Sequence, residues 1–317
     1  MFISDKMKDI QLKKKDFDLL KILGTNSRAS LRNISEELKI SKQAASLKIK
    51  KLEVGIIAEY ITIIDFFKLG YNNTHLYLKL QGIERKKHRE NILELKKVGN
   101  ISWIVTLFGD FDLAISIFYE SLDEFHTILN KIYRIFGNSI KDKETFPILS
   151  QEIFLPQRRQ TSILINPTKR IEISDKERKI LNCIGTNARF NYANISPELK
   201  MECNTIKKNI LRLQEKKIIR GYNLICNNNN LGNIWHICIL NIVPGKNIKK
   251  IIEELRNKEE IPFISITVEN KIIFDFICKN YESVRNFLNK LKIDFFNDIE
   301  GYRLLGVDEL IKLKISF

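Results

Sequence analysis

Cysteine is scarce and unpatterned. The chain has five, Cys183, Cys203, Cys226, Cys238 and Cys278, an odd number with no CxxC pair. Neither a disulfide framework nor a zinc site fits that usage, and free thiols in a reducing compartment are expected. Histidine is scarcer still: His75, His88, His126 and His236, with no two close together in sequence. There is no nucleophile motif and no glycine-rich phosphate loop. No apolar run approaches the roughly 18 residues of a membrane-spanning helix. The N-terminal stretch MFISDKMKDIQLKKKD has no apolar signal core and no cleavage site. The expectation is a soluble, cytoplasmic chain without metal, cofactor or membrane partner, and not an enzyme.

Net charge is strongly one-sided, +15 over 317 residues. A protein that basic commonly meets a polyanion. Its hydrophobic content, 44%, is high enough for packed cores, and the length suits more than one domain.

The chain repeats itself. GTNSRASLRNISEELK begins at Gly24 and GTNARFNYANISPELK at Gly185, and ten of sixteen places are identical. The offset of 161 is about half the chain, and it persists: Ile49 meets Ile210 and Leu52 meets Leu213. After one inserted residue Tyr60 meets Tyr222, and Leu69-Gly70 meets Leu231-Gly232. Two copies of one domain-scale unit are expected.

Each unit opens with helical periodicity. Phe17, Leu19, Leu20, Ile22 and Leu23 fit one helix face, which Gly24-Thr25-Asn26 ends. Ser30 is placed to cap a second helix that buries Leu31, Ile34 and Leu38. Ser41 is placed to cap a third, running to about Val54 with Ala45, Ile49 and Leu52 inward. The isoleucine-rich stretch Ile56 to Ile64 suits short strands, as in a wing. The rest of the unit alternates as strand Thr74–Gln81, helix Arg85–Lys97, strands Ile101–Phe108 and Phe111–Tyr119, helix Leu122–Phe136 and strand Thr145–Phe154. That is the ferredoxin-like βαββαβ order. The second unit follows with Ile234–Val243, Ile248–Arg256, Phe263–Val268, Ile272–Cys278, Val284–Phe296 and a strand near Tyr302–Val307. The fold class is thus α+β. The expected parts are winged helix-turn-helix domains over 13–60 and 174–222, ferredoxin-like domains over 61–155 and 223–317, and an exposed linker over 156–173.

The charge is localised. Segments 13–60 and 174–222 carry net +5 and +6 and the linker +3, whereas 61–155 and 223–317 carry zero and +1. An excess confined to the helical parts and the tether is the electrostatic footprint of a phosphate-binding surface. Within the third helix, an inner stripe of Ala45, Ile49 and Leu52 turns Lys42, Gln43, Ser46, Lys48 and Lys51 outward. In the second copy, Ile206, Ile210 and Leu213 leave Asn204, Thr205, Lys207, Lys208 and Arg212 outward. Cations neutralise phosphates, and amides and hydroxyls reach base edges in a major groove.

The stretch LLKILGTNSRASLRNISEELKISKQAASLKIKKLEVGIIAEY resembles the DNA-binding domain of the Lrp/AsnC family of feast/famine regulators. The resemblance implies a winged helix-turn-helix followed by a ferredoxin-like effector and assembly domain, and it covers nearly the whole chain twice. It implies transcription regulation through double-stranded DNA, with Ser41, Lys42, Gln43, Ser46 and Lys48 where the family contacts DNA; Glu202 replaces Ser41 in the second copy. Gly109-Asp110-Phe111-Asp112 resembles the family's glycine-aspartate motif. This implies a small-molecule effector, such as an amino acid, at Gly109, Asp110 and Asp112. At the straight offset the second copy has Asn270 and Ile273 in place of Gly109 and Asp112. Family members usually carry one unit per chain, so a tandem chain is expected to form an intramolecular pseudo-dimer, open to further homo-oligomer formation through its ferredoxin-like domains. The rival reading is a siroheme decarboxylase-like enzyme of the alternative haem pathway, which would need histidine and arginine gathered in the sheet domains. His75 and His236 lie on the first strands there but are only roughly equivalent in the repeat.

Overall fold

A computed structural model describes residues 12–155 and 162–313. Each unit begins with three helices: α1 (Lys14–Thr25), α2 (Leu31–Leu38) and α3 (Lys42–Glu53) in the first. The caps are those the sequence indicates. Ser30 Oγ accepts from the Asn33 amide and Ser41 Oγ from the Ala44 amide, both at 3.1 Å. Each satisfies one orphan donor of a first turn. Strand β1 (Ile57–Ile64) follows. The ferredoxin-like part then runs β2 (Asn72–Leu80), α4 (Arg85–Leu95), β3 (Ile101–Phe108), β4 (Leu113–Tyr119), α5 (Leu122–Phe136) and β5 (Ile140–Phe154). After β6 (Ser162–Ile165) the second unit repeats the order: α6 (Asp175–Thr186), α7 (Tyr192–Leu199), α8 (Cys203–Glu215) and β7 (Ile219–Cys226). It continues with β8 (Ile234–Ile242), α9 (Lys249–Arg256), β9 (Phe263–Thr267), β10 (Ile272–Cys278), α10 (Tyr281–Asp294) and β11 (Ile299–Leu313). No helix among the described residues is long and apolar enough to cross a membrane.

The strand after each third helix does not fold back as a wing of its own. β1 pairs antiparallel with β7 of the other unit, Tyr60 opposite Leu224 and Thr62 opposite Tyr222. Both faces of this ribbon have somewhere to go. The apolar side chains of β1 and β7 join those of α1, α2, α3, α6, α7 and α8 in one hydrophobic cluster that includes Leu19, Leu23, Ile34, Leu52, Ile180, Ile184, Ile206 and Leu213. The two helical parts therefore share a single core.

The sheet parts share one as well. Eight strands follow one another in the order β2-β4-β3-β11-β8-β10-β9-β5, and β5 pairs again with β2, closing the sheet on itself. Closure depends on two 15-residue strands that change partner midway. β5 pairs through residues 140–147 with β2 of its own unit and through 148–153 with β9 of the other. β11 pairs through 299–306 with β8 and through 306–313 with β3. The enclosed face holds Tyr77, Val105, Leu107, Ala114, Phe146, Ile237, Ile239, Ile273, Leu305 and Val307, side chains from both units. The outer faces are covered by α4 and α5 on one side and by α9 and α10 on the other.

The expected exposed linker is shorter than its sequence range. Residues 156–161 lie outside the described residues. Ser162–Ile165 form β6 against β5, with Ile163 and Ile165 buried. Further along, the Ile171 amide donates to Lys68 O at 2.7 Å, and Arg170 pairs with Glu120 at 3.0 Å. Alternating isoleucines within a polar stretch were a strand signal that the surrounding charge and prolines obscured.

Candidate nucleic-acid interface

The third helices are positioned by burial of one stripe each. Ala45, Ile49 and Leu52 of α3 are buried, as are Ile206, Ile210 and Leu213 of α8. Among the residues expected to face DNA, Ser41, Lys42, Gln43, Lys51, Asn204, Lys207, Lys208 and Arg212 are exposed, whereas Ser46, Lys48 and Thr205 are half-buried. Opposite the buried stripe of α3 stand Gln43, Leu47 and Lys50, all exposed. Leu47 and Lys50 were missed, because an outward leucine carries no polar signature and Lys50 was one cation among several. Ser41 Oγ accepts the Ala44 amide, a bond that does not use its own hydroxyl proton.

Lys48 is engaged elsewhere. Its ammonium lies 2.6 Å from Asp16 Oδ1, and Asp16, on α1, is 1% exposed. The other carboxylate oxygen accepts the Lys13 amide at 2.9 Å, and Lys51 stands 3.9 Å away. Burial works against ionisation of Asp16, but these partners outweigh it and hold the carboxyl below its usual range. The second unit builds the same device from different parts. Glu177, buried at the equivalent place, accepts the Ser174 amide at 2.8 Å and takes Lys216 at 3.1 Å. Asn209, where the first unit has Lys48, donates instead to Thr205 O.

The most repetitive motif performs a task its sequence did not disclose. Arg28 crosses to the second unit and donates to Ala188 O at 2.6 Å and Phe190 O at 3.2 Å. Arg189 crosses back to Ser27 O at 2.5 Å and Ala29 O at 3.5 Å. Arg28 lies over Tyr192 and Tyr222, and Arg189 over Tyr60. The Ser27 amide donates to Tyr222 O and the Ala188 amide to Tyr60 O. The identity of Arg28 and Arg189 within otherwise variable turn positions was the available signal.

The effector candidates form a tight turn at the unit boundary. Gly109 has φ +121°, and its Cα faces Leu304 O and Leu305 of β11. Asp112 accepts the Leu80 amide at 2.7 Å and pairs with Lys79 at 3.2 Å; Asp110 is exposed. The corresponding turn of the second unit is one residue shorter: the Leu107 amide reaches Asp112 O, whereas that of Thr267 reaches Lys271 O. The closing position is therefore held by Lys271. Ile273, which the straight offset matched to Asp112, lies within β10 on the enclosed face. Lys271 and Arg303 both pair with Glu144 of the first unit, at 3.2 and 2.5 Å. Burial opposes ionisation of Glu144, yet these two cations hold its carboxyl below the usual range.

His75 and His236 are not brought together. The inserted residue makes β8 register one place later against β2. His75 consequently shares the enclosed face with Tyr77, its ring 5.8 Å from that of Trp103. His236 shares the opposite, helix-covered face with Cys238 and lies 5.9 Å from the Tyr281 ring. A one-residue slip sends equivalent strand positions to opposite faces.

Comparison with known proteins follows the same division. Residues 12–53 match the winged helix-turn-helix DNA-binding family. The HTH-type transcriptional regulator FL11 of Pyrococcus horikoshii is 30% identical over 123 residues, which are 38% of this chain and 80% of that protein. Ptr1 of Methanocaldococcus jannaschii, also an HTH-type transcriptional regulator, is 33% identical over 112 residues, 35% of this chain and 75% of that protein. Each alignment therefore spans one unit's worth of this chain. The crystal structure of the siroheme decarboxylase NirDL has a TM-score of 0.63 at 14% identity, covering 96% of this chain and 94% of that one. This last likeness overturns the expectation that the chain is not an enzyme. At that identity it shows the fold alone, but the architecture of nearly the whole chain is one that an enzyme uses, so architecture does not exclude catalysis.

Proposed function

Because the chain belongs to the Lrp/AsnC-like family of HTH-type transcriptional regulators, we propose that it is a sequence-specific regulator whose two helical parts read one DNA duplex as an intramolecular pseudo-dimer. The observation that carries this reading is the pair of exposed polar and cationic helix faces. Lys42, Gln43 and Lys50 on α3 and Asn204, Lys207, Lys208 and Arg212 on α8 are outward, on the two segments that hold most of the excess charge. The β1–β7 ribbon and the reciprocal arginines support the pseudo-dimer, since they tie the two heads at fixed separation. A small-molecule effector, an amino acid for instance, is assigned to the Gly109–Asp112 turn, whose packing on β11 would let occupancy be felt by the other unit.

The test is binding of the full chain to random-sequence duplexes across a salt series. An enriched site with two unequal half-sites about one helical turn apart, or a multiple, is expected. Replacing Lys207, Lys208 and Arg212 by alanine flattens the logarithmic salt dependence by about 2 to 3, roughly 0.9 per lost phosphate contact. An unchanged slope removes α8 from the interface. A palindromic site bound by two chains, each using one head, ends the pseudo-dimer. Turnover of siroheme by the purified chain would displace DNA binding as the principal reading.

A further inference from the structure

The outward ridges of α3 and α8 differ in one respect that charge alone does not describe. On α3 the ridge reads Gln43, Leu47, Lys50; on α8 the equivalent places read Asn204, Lys208, Leu211. Each ridge carries an amide first, then one leucine and one cation, in opposite order. Leu47 is 67% exposed, one turn from Gln43, and Leu211 is 46% exposed, two turns from Asn204. The buried stripe of α3 is already complete with Ala45, Ile49 and Leu52, so Leu47 serves no core. A leucine held between Gln43 and Lys50 on a cationic ridge is suited to a surface that is itself polar at its rim and apolar at one point.

A major groove offers such a point. The 5-methyl of thymine is the one apolar group on any base edge there, and the adjacent adenine and phosphates suit an amide and an ammonium. Helices that enter the groove present their N-terminal turns to the bases. Leu47 lies in the second turn of α3, while Leu211 lies in the third turn of α8, where the helix is leaving the bases. Lys208 occupies the second-turn place on α8.

We infer that Leu47 is a specificity-determining residue that packs on a thymine methyl in the half-site under α3, and that Lys208 leaves the half-site under α8 indifferent to that methyl. This inference rests on the reading of α3 and α8 as DNA-contacting helices. It adds that one head selects thymine by an apolar contact while the other anchors on phosphate.

Deoxyuridine isolates the claim, because it keeps every hydrogen bond of thymine and lacks only the methyl. The site enriched by the full chain is resynthesised with deoxyuridine at one thymine at a time. One or two positions in a single half-site are expected to bind about fourfold more weakly, the loss that follows from one unburied methyl. Leu47→Ala brings that ratio to about one, and its exposure leaves folding intact, which thermal melting verifies. Lys208→Leu creates a methyl-sensitive thymine in the other half-site. Wild-type binding insensitive to every deoxyuridine, or a ratio that survives Leu47→Ala, overturns the inference and leaves the DNA-binding reading standing. A change in assembly mass on Leu47→Ala with the ratio retained assigns Leu47 to a protein contact and likewise overturns it. No duplex binding by the full chain overturns both.

Discussion

Arg28 and Arg189 stand 161 residues apart and perform the same crossing, each reaching carbonyls of the other unit's turn. Leu47 and Lys208 stand the same distance apart and share nothing but their place on a helix. The contrast runs through the molecule. Contacts between the units meet across an approximate two-fold axis, so a change on one side must suit its counterpart on the other. Outward positions have no such counterpart and have drifted: Lys42 against Cys203, Leu47 against Lys208, Lys50 against Leu211. The duplicated chain is therefore conservative in how it holds itself and free in what it presents.

The equivalence of the two arginines is where the comparison breaks most visibly if it is wrong. Each guanidinium donates to carbonyls in a partly enclosed turn, and charged hydrogen bonds there contribute about 1.5 to 3 kcal/mol. Arg28→Ala and Arg189→Ala are expected to cost similar amounts in denaturant unfolding, and the double variant about 4 kcal/mol. A large loss from one and none from the other would show that the crossing is not reciprocal in energy.

Lys48 and Asn209 sharpen the comparison from the divergent side. Lys48→Ala leaves the Asp16 carboxylate buried with its Lys13 amide and a distant Lys51, at a cost of about 2 to 3 kcal/mol. Asn209→Ala removes a single hydrogen bond, about 1 kcal/mol. The DNA salt slope should stay unchanged in Lys48→Ala. A slope lowered by about one unit with stability intact would return Lys48 to the phosphates.

His75 and His236 compare two environments for one side chain. Burial lowers the His75 pKa from 6.5 to about 4 and lowers that of His236 in the same direction. Between those two values the unfolded chain binds a proton on His75 that the folded chain refuses. Stability therefore falls as pH drops through that window, by up to about 3 kcal/mol at its acid end. Melting of His75→Leu should decline less between pH 6.5 and 4 than that of the wild type, and His236→Leu should relieve a smaller part. Equal acid sensitivity in wild type and His75→Leu would assign the decline to the buried carboxylates instead.

The smallest effect separates the two turns. Gly109 holds φ +121°, a conformation closed to other residues, and Gly109→Ala is expected to cost about 1 to 2 kcal/mol. Asn270 sits at φ +60°, which asparagine tolerates, and Asn270→Gly should change stability by no more than about 0.5 kcal/mol. Matching costs from both would remove the distinction drawn between them.

Much of this is legible in the amino-acid sequence. The duplication, the capping serines Ser30 and Ser41, the inner stripes of the third helices and the βαββαβ order all rest on local periodicity, which survives in a one-dimensional reading. What periodicity omits is the identity of a strand's partner. The isoleucines of Ile57–Ile64 announce a strand, and nothing in them distinguishes a local hairpin from pairing with Ile219–Cys226. The same holds for β5 and β11, whose extra length was hidden because charged residues such as Lys141, Asp142 and Lys143 begin one of them. For the residues proposed to face DNA, helical geometry placed the exposed cations. It could not reveal that Lys48 is drawn to Asp16 from another helix, nor that the outermost position of α3 is a leucine.

The midway change of partner in β5 also has a meaning in time. A ribosome releases the first unit complete in sequence but with β1 and the second half of β5 lacking their partners, which arrive only with β7 and β9. At 5 to 20 residues per second the wait lasts roughly five to twenty seconds. During that interval nascent chains on one messenger display the same open edges, and a neighbour's first unit is a ready substitute for the second unit still to come. The tether then decides the outcome: once the second unit emerges, its local concentration exceeds that of any neighbour, and the chain closes on itself.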